Sequence, residues 1–372
     1  MSKRKEKQQE KQFTMEICNC FDDLLEGLAY LGRRAAGRDW NAMAQRIAQQ
    51  GSAPTPELLE ALKVLQKLTR ELDRRCPLEE DELQELFGNL EGFQHNTVGS
   101  SSRAFFLLYM HLDRYQGDLA AFGRQVAELD EEQAAWGIAG IFEEGLPASR
   151  RLTVQQYQDL VLGLSVPAGT KIALLELLRD RVQLIGRAVK CLAPVLECLA
   201  GSRADLEKVT RPFLRDCERM EPEALFSQLS RMTPEPGVDY LMSPFVFGAD
   251  SNLALDLGDG RVRFYCGVLR RELQNLISGR NSAQDQVCEI YRLLGDPTRF
   301  DILCYLRGHD AYVQELSHQF GLSRNTIHHH MNKLMDCGLV NCMTNGNRMY
   351  YSLDRERMQL FLQRQKILFD RG

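Results

Sequence analysis

Near its carboxyl end the sequence places a set of hydrogen-bond donors on one side of a short predicted helix. After Ser323, apolar and polar side chains recur with the period of an α-helix. The polar ones are Arg324, Asn325, Thr326, His328, His329 and Lys333. Their guanidinium, amide, hydroxyl, imidazole and ammonium groups can donate to base edges and to phosphate oxygens. The chemistry predicted here is non-covalent recognition of double-stranded DNA.

Two predicted helices and a turn must hold these donors outward. Apolar residues recur at helical spacing on each helix: Val313, Leu316 and Phe320 on the first, and Ile327, Met331 and Leu334 on the second. Gly321 lies between the helices, where a tight turn needs a residue that tolerates positive φ. Ser323 can accept an unpaired amide and begin the second helix, and Gly338 can end it. The apolar residues predict a buried face opposite the donors.

A β-hairpin is predicted directly after the second helix. Leu339–Thr344 reads as a strand, Asn345-Gly346 is a strong two-residue turn signal, and Arg348–Leu353 reads as the return strand. The tip carries Asn347 and the cation of Arg348. A polar tip of this kind suits contact with a phosphate backbone or with the minor groove.

This order of elements resembles the winged helix-turn-helix of the ArsR family of bacterial repressors. The resemblance covers roughly the last quarter of the chain and is carried by Leu294 to Arg299, Ile302, Leu303, Glu315, Leu316, Gly321, Leu322, Ser323, Thr326, His330, Leu334, Gly338, Leu339, Val340, Tyr350 and Tyr351. It implies a unit that forms a homodimer through its first and last helices, here Asp285–Leu294 and Arg355–Phe369. It also implies that the helix beginning at Ser323 enters the DNA major groove.

By this resemblance the protein is expected to be a transcriptional repressor whose main DNA contacts lie between Ser323 and His330. The expected base or phosphate contacts are Arg324, Asn325, Thr326, His328 and His329. Ser323 caps the helix and can also touch phosphate, whereas Lys333 and Arg348 are expected on the DNA backbone.

No metal or other cofactor is predicted. Many members of the family hold a metal ion with a Cys-x-Cys pair, where this sequence has Asp310 to Gln314. Others use Asp and His ligands on the last helix, and Met358–Phe369 contains no His. The run from His328 to His330 is a poor metal site, because three consecutive side chains fan around a helix.

Length and composition are typical of a cytoplasmic protein with more than one domain. The chain has 372 residues, and 44% of them are hydrophobic, which favours two domains with packed cores. No apolar run is long enough to cross a membrane, and no signal peptide is evident. Eleven cysteines without framework spacing indicate reduced thiols.

Charge is distributed unevenly along the chain. From Gln284 to the end there are 11 Lys or Arg against 10 Asp or Glu, which leaves 35 against 41 in the preceding residues. The contrast favours DNA contact at the carboxyl end, although this part is less basic than most DNA-binding domains.

The fold is predicted to be mainly α. Helical spacing of apolar residues predicts these helices: Thr14–Arg34, Thr55–Arg75, Glu79–Phe93, Ser102–Tyr115, Leu119–Glu144, Thr153–Leu164, Lys171–Ala200 and Pro222–Met232. Cys18 and Cys20 fall in the first of these helices, where neighbours two apart point in different directions. A soft-metal or oxidation-sensing role for this pair is the weaker alternative.

A small antiparallel hairpin or sheet is predicted over residues 238–268. Its strands are Val238–Phe247, Leu253–Leu257 and Val262–Val268. A helix, Leu269–Ile277, then leads to a linker at residues 278–282. The domains are therefore expected to be a mostly helical regulatory or dimerisation domain at 1–280 and the winged helix-turn-helix at 281–372.

The first 280 residues carry no recognisable enzyme motif, so the protein is expected not to be an enzyme. Phosphate-binding glycine loops, H-E-x-x-H and G-x-S-x-G are absent from this sequence.

An unknown effector could bind among aromatic residues of the helical region, although such residues more often form a core. These residues are Trp40, Phe105, Phe106, Tyr109 and Trp136. The alternative function is a winged-helix protein-interaction module without DNA affinity.

Overall fold

A computed structural model describes residues 13–40, 43–45, 54–93, 101–143, 146–147, 149–230, 232–235, 237–258, 260–270, 283–345 and 348–369. The protein is mainly helical, as predicted, with two small sheets. Among these residues no helix is both long and apolar enough to span a membrane.

Helices make up most of the amino-terminal region. They are α1 (Asp23–Ala35), α2 (Pro56–Arg75), α3 (Glu80–Phe87), α4 (Arg103–Leu108), a 3₁₀ helix (Tyr109–Arg114), α5 (Leu119–Ala127), α6 (Glu131–Ala139), α7 (Val154–Gly163), α8 (Ala168–Arg179), α9 (Arg181–Gly201), α10 (Arg203–Cys217) and α11 (Pro222–Ser230). One large apolar core, which extends from Leu24 to Leu269, joins α1 to α10. Helix α11 packs in a separate small cluster with Cys217, Met242, Phe264 and Cys266.

Several predicted helices are interrupted or shorter, and α10 was not predicted. The expected helix Leu119–Glu144 is divided because the Asp130 side chain caps a new helix, accepting a hydrogen bond from the Gln133 amide at 3.0 Å. Lys171–Ala200 is also divided, at Asp180, whose side chain makes no capping hydrogen bond. Glu79–Phe93 ends at Phe87 before Gly88, and Ser102–Tyr115 tightens into the 3₁₀ helix. At Asp130, local capping thus overrides a continuous apolar period.

The prediction of a helix beginning at Thr14 is wrong. Residues Thr14–Ile17 form strand β1, which pairs in parallel with β3 (Asp239–Phe245). Helix α1 begins only after Asp22, whose carboxylate accepts from the Leu25 amide at 3.1 Å. Cys18 and Cys20 therefore lie outside any helix, and their sulfur atoms are joined in a disulfide. This pair departs from the expectation of reduced thiols.

The predicted strands at 238–268 exist, but they do not form a purely antiparallel sheet. They are β3, β4 (Asn252–Gly258) and β5 (Arg261–Gly267), in the order β1-β3-β5-β4. Only β4 and β5 pair antiparallel, while β3 is parallel to both neighbours. Strand β1 pairs with a strand that lies more than 220 residues later in the chain, so no local pattern indicates this pairing.

A buried carboxylate ties α1 to this sheet. Both oxygens of Glu26 accept backbone hydrogen bonds, from the amides of Val246 and Phe247, each at 2.7 Å. Burial raises the pKa of Glu26 to about 8, although these two hydrogen bonds act in the opposite direction. The contact fixes the segment after β3 against the helical core.

The carboxyl-terminal unit has its own apolar core, which runs from Val287 to Phe361. Its elements are α12 (Ala283–Leu294), α13 (Pro297–Leu306), β6 (Ala311–Tyr312), α14 (Val313–Phe320), α15 (Arg324–Asp336), β7 (Val340–Asn345), β8 (Arg348–Leu353) and α16 (Arg355–Phe369). The expected order of helices and hairpin is confirmed. The expected helix Leu269–Ile277 and linker at 278–282 lie almost entirely outside the described residues, so the boundary at 280 stays a proposal.

One strand from the preceding region joins the hairpin. The predicted helix Pro222–Met232 ends at Ser230, and β2 (Met232–Thr233) pairs in parallel with β7. The second sheet therefore has the order β2-β7-β8-β6. This pairing attaches the hairpin to a segment that lies about 110 residues earlier in the chain.

We expect Gly137→Ala to destabilise the helical region by about 1–3 kcal/mol through overpacking. A Cβ atom at Gly137 would collide with Nε2 of His111, whose side chain is buried. Urea unfolding of the full chain measures the change. Gly186→Ala is the matched control: a Cβ there meets nothing within 4 Å, so this variant should be neutral or slightly stabilised. Equal stability of the two variants would contradict the expectation.

Candidate nucleic-acid interface

The helix-turn-helix has the predicted local geometry. Helix α14 ends at Gly321, whose φ of 63° is left-handed. The Ser323 hydroxyl accepts a hydrogen bond from the Thr326 amide at 3.2 Å and so caps α15. The hydroxyl groups of Ser323 and Thr326 are also 2.8 Å apart. Both hydroxyls are therefore already engaged at the start of the helix.

The inner face of α15 anchors it firmly. Ile327, Met331 and Leu334 are fully buried, as predicted. Gly338 follows the helix with a φ of 71°. The helix is thus held as a rigid unit against α13, α14 and the hairpin, which is the support that a recognition element needs.

The predicted contact residues lie at different degrees of exposure. Lys333 is exposed, while His328 and His329 are half-buried. The side chains of Asn325 and Arg348 lie outside the described part, and so does the whole of Asn347. On the described outer face, His328, His329 and Lys333 follow Arg324 along α15.

Arg324 departs from the expectation of an open face. Its Nη1 atom forms a hydrogen-bonded ion pair with Oε1 of Glu143, a residue of the loop after α6. The Glu143 side chain is 13% exposed and that of Arg324 is 41% exposed. The first donor of the predicted recognition helix is therefore bound to a carboxylate of its own chain. The sequence around Glu143 contains no signal of this role.

A cleft of about 660 Å³ extends beside this ion pair. We call it the Glu143 cleft. Its polar lining comes from both halves of the chain: Glu143, Gln156, Asp159, Ser165, Ser317, Ser323 and Arg324. The cleft lies between α7 and the start of α15. The amino-terminal region therefore lies next to this end of the helix and contacts it through Glu143.

Burial lowers the pKa of two histidines on α15. For His329 burial is the largest cause, and the charges of Lys333 and Arg299 lower the pKa further. Burial likewise lowers the pKa of His330, which is 9% exposed. Within the described residues no group of His, Cys, Asp and Glu could hold a metal ion.

If His329 contacts phosphate, we expect duplex affinity to rise as the pH falls, since the contact favours the protonated imidazole. Because the pKa of His329 is lowered, this rise should occur at lower pH than it would for an unperturbed histidine. Fluorescence anisotropy at constant ionic strength measures the trend. The His329→Gln variant retains His328 and His330 and should lose the part of the pH dependence that His329 contributes. An unchanged slope in that variant would remove His329 from the contacts.

Comparison with known proteins places the helix-turn-helix in a defined group. The family model described as "Bacterial regulatory protein, arsR family" matches residues 296–341. The transcriptional repressor SdpR of Bacillus subtilis is 31% identical over 70 residues, which are 19% of this chain and 78% of that protein. The arsenical resistance operon repressor of Staphylococcus xylosus is 35% identical over 71 residues, or 19% of this chain and 68% of the repressor.

A third relative is matched over a smaller share of its length. The HTH-type transcriptional regulator KmtR of Mycobacterium tuberculosis is 33% identical over 78 residues, which are 20% of this chain and 60% of KmtR. Each of the three similarities covers only about a fifth of this chain.

Proposed function

Since the chain belongs to the arsR family of bacterial regulatory proteins, we propose that it is a transcriptional repressor that reads a specific duplex sequence in the major groove with α15. DNA binding and transcription regulation are properties of the family. The observation that carries the finer proposal is a helix capped by Ser323, buried on one side and lined with donors on the other.

The donors divide by the contact that each can make. Arg324 can bind guanine bidentately, since its guanidinium matches two acceptors in the major groove. The other proposed base or phosphate contacts are Asn325, Thr326, His328 and His329. Lys333, Asn347 and Arg348 are proposed on the phosphate backbone, and Ser323 adds a phosphate contact to its cap.

We propose a homodimer formed through α12 and α16. These two helices lie against each other, with the rings of Tyr291 and Phe361 5.6 Å apart. Tyr291 is nevertheless 43% exposed and Leu362 is 53% exposed, which suits burial by a second copy. Two copies of α15 would then enter successive major grooves about 10 bp apart.

The conformation with Arg324 on Glu143 is proposed to be the state without DNA. The ion pair engages Nη1 of Arg324 and holds the guanidinium against the amino-terminal region, so duplex binding is proposed to require this contact to open. The open and closed states then exchange, and DNA selects the open one. Any effector that alters the amino-terminal region would act by shifting this balance.

Selection of bound fragments from random duplex DNA by the full chain tests the proposal. The expected result is enrichment of one inverted repeat, with affinity that falls steeply as salt increases because counterions are released. Absence of any enriched sequence, together with absence of duplex affinity at low salt, would instead favour the protein-interaction module.

A further inference from the structure

A second cavity, of about 380 Å³, lies in the helical region, and no residue of α15 lines it. It opens between the residues that follow α1 and the carboxyl-terminal half of α2. Four arginines line it, Arg33, Arg34, Arg38 and Arg70, against two aspartates, Asp39 and Asp73. By formal charge the lining has two more cations than anions, or one more when Asp250, which pairs with Arg33, is included. We call this the Arg70 cavity.

The inner wall of the cavity is fixed by contacts within the chain. The Arg33 guanidinium lies over the indole of Trp40, 3.7 Å from the ring centre, and its Nη1 is 3.4 Å from Asp250 Oδ1. The Trp40 N–H donates to the Thr69 hydroxyl at 3.0 Å. These groups are buried or paired, so they form a rigid floor.

Arg34 and Asp73 neutralise each other beside this floor. Arg34 Nη1 donates to the Cys76 carbonyl at 2.9 Å, and Arg34 Nε is 3.7 Å from Asp73 Oδ1. The Tyr30 hydroxyl also donates to Asp73, at 2.7 Å. Asp73 is therefore already engaged by two partners, which leaves little acceptor capacity for the remaining arginines.

Arg38 and Arg70 differ from the other two arginines. Both are exposed, and within the described residues neither guanidinium forms an ion pair or a side-chain hydrogen bond. They approach from different elements, one after α1 and one on α2. Two guanidinium groups that share a concave lining repel each other unless an anion lies between them.

We propose that the Arg70 cavity binds a small organic anion whose carboxylate or phosphate groups are held by Arg38 and Arg70. Guanidinium groups bind both kinds of oxyanion through paired N–H donors. The volume is near the lower end of the range for small-molecule sites, so the ligand is about the size of one ring or a short chain. Binding here does not depend on DNA recognition by α15.

The residues around the cavity connect it to the sheet. Phe247 forms part of the lining, and its backbone amide donates to the buried Glu26 carboxylate of α1. Its ring packs edge-on against Tyr30, with centroids 5.5 Å apart. A bound anion would thus contact side chains that also secure the segment after β3.

Isothermal titration calorimetry of the full chain tests the inference, with inorganic phosphate, citrate and phthalate as probes at constant ionic strength. We expect saturable binding of at least one probe, with a dissociation constant on the order of 1 mM or lower. Preference among the probes identifies phosphate, aliphatic carboxylate or aromatic carboxylate as the favoured group.

Arg38→Gln and Arg70→Gln should each weaken that binding about tenfold or more, because each removes one charged hydrogen-bonding partner of the anion. The matched control is Arg74→Gln, one turn further along α2, exposed and outside the cavity lining; it should bind as the parent does. Thermal unfolding without ligand should be unchanged in all three variants. No saturable binding of any probe, or equal loss in the Arg74 variant, would overturn the inference.

Discussion

Replacing Arg324 with alanine should weaken binding of the selected duplex about 5- to 150-fold, or about 1–3 kcal/mol, when it is measured in a chain that also carries Glu143→Gln. The background matters because Arg324 is bound to Glu143 in the unliganded chain. In the otherwise unaltered chain, the same substitution removes a DNA contact and also the ion pair that competes with it. The loss measured there should therefore be smaller.

Comparing the loss of affinity across different DNA sequences distinguishes a base contact from a general electrostatic contribution. Arg324→Ala should relax the preference at one position of each half-site, whereas Lys333→Ala should weaken all sequences about equally and reduce the salt dependence. Arg307→Ala is the control, since Arg307 is exposed on the same unit but lies outside the helix-turn-helix. A loss of duplex affinity below about twofold for Arg324→Ala would show that this residue does not contact a base.

Replacing Glu143 with glutamine should have the opposite effect and tighten duplex binding about three- to tenfold. The substitution leaves the shape of the side chain but removes the charge that holds Arg324. The expected gain is modest because Arg324 is 41% exposed, and solvent screens an ion pair of that exposure. Fluorescence anisotropy with the selected duplex at two salt concentrations measures it.

Asp159→Asn provides the matched control for this gain. Asp159 lines the same cleft, but its carboxylate accepts a hydrogen bond from the Gln155 side chain at 2.9 Å. Removing its charge changes the general potential of the cleft by the same amount as Glu143→Gln does. An equal gain in both variants would mean that the cleft repels DNA electrostatically and that the contact with Arg324 has no special role.

The local geometry of the helix-turn-helix could be predicted from the sequence because each of its features has a local cause. Gly321 is needed for a left-handed turn, Ser323 caps the next helix, and Ile327 and Leu334 repeat on one face. The Asn345-Gly346 turn and the alternation after Arg348 define the hairpin in the same way. Each signal involves residues only a few positions apart, so a single sequence contains all the information required.

The remaining features depend on partners that are distant in the chain. Strand β1 exists because Thr14 pairs with Asp239, and the same residues without that neighbour would read as part of a helix. Glu143 meets Arg324 across 181 positions, and neither residue carries a local sign of the other. Arg38 and Arg70 share a cavity only because side-chain contacts, such as that of Tyr30 with Asp73, join the end of α1 to α2. Sequence periodicity cannot report such pairings, since they depend on the tertiary arrangement.

The most direct test of major-groove reading by α15 uses modified guanines in the selected duplex. Replacing the contacted guanine with 7-deazaguanine removes an acceptor in the major groove, and replacing it with inosine removes a donor in the minor groove. In the Glu143→Gln chain, 7-deazaguanine should weaken binding about five- to tenfold, inosine should have little effect, and Arg324→Ala should abolish the difference. Equal sensitivity to both modifications, or no sensitivity to 7-deazaguanine at any guanine of the site, would contradict the proposed reading.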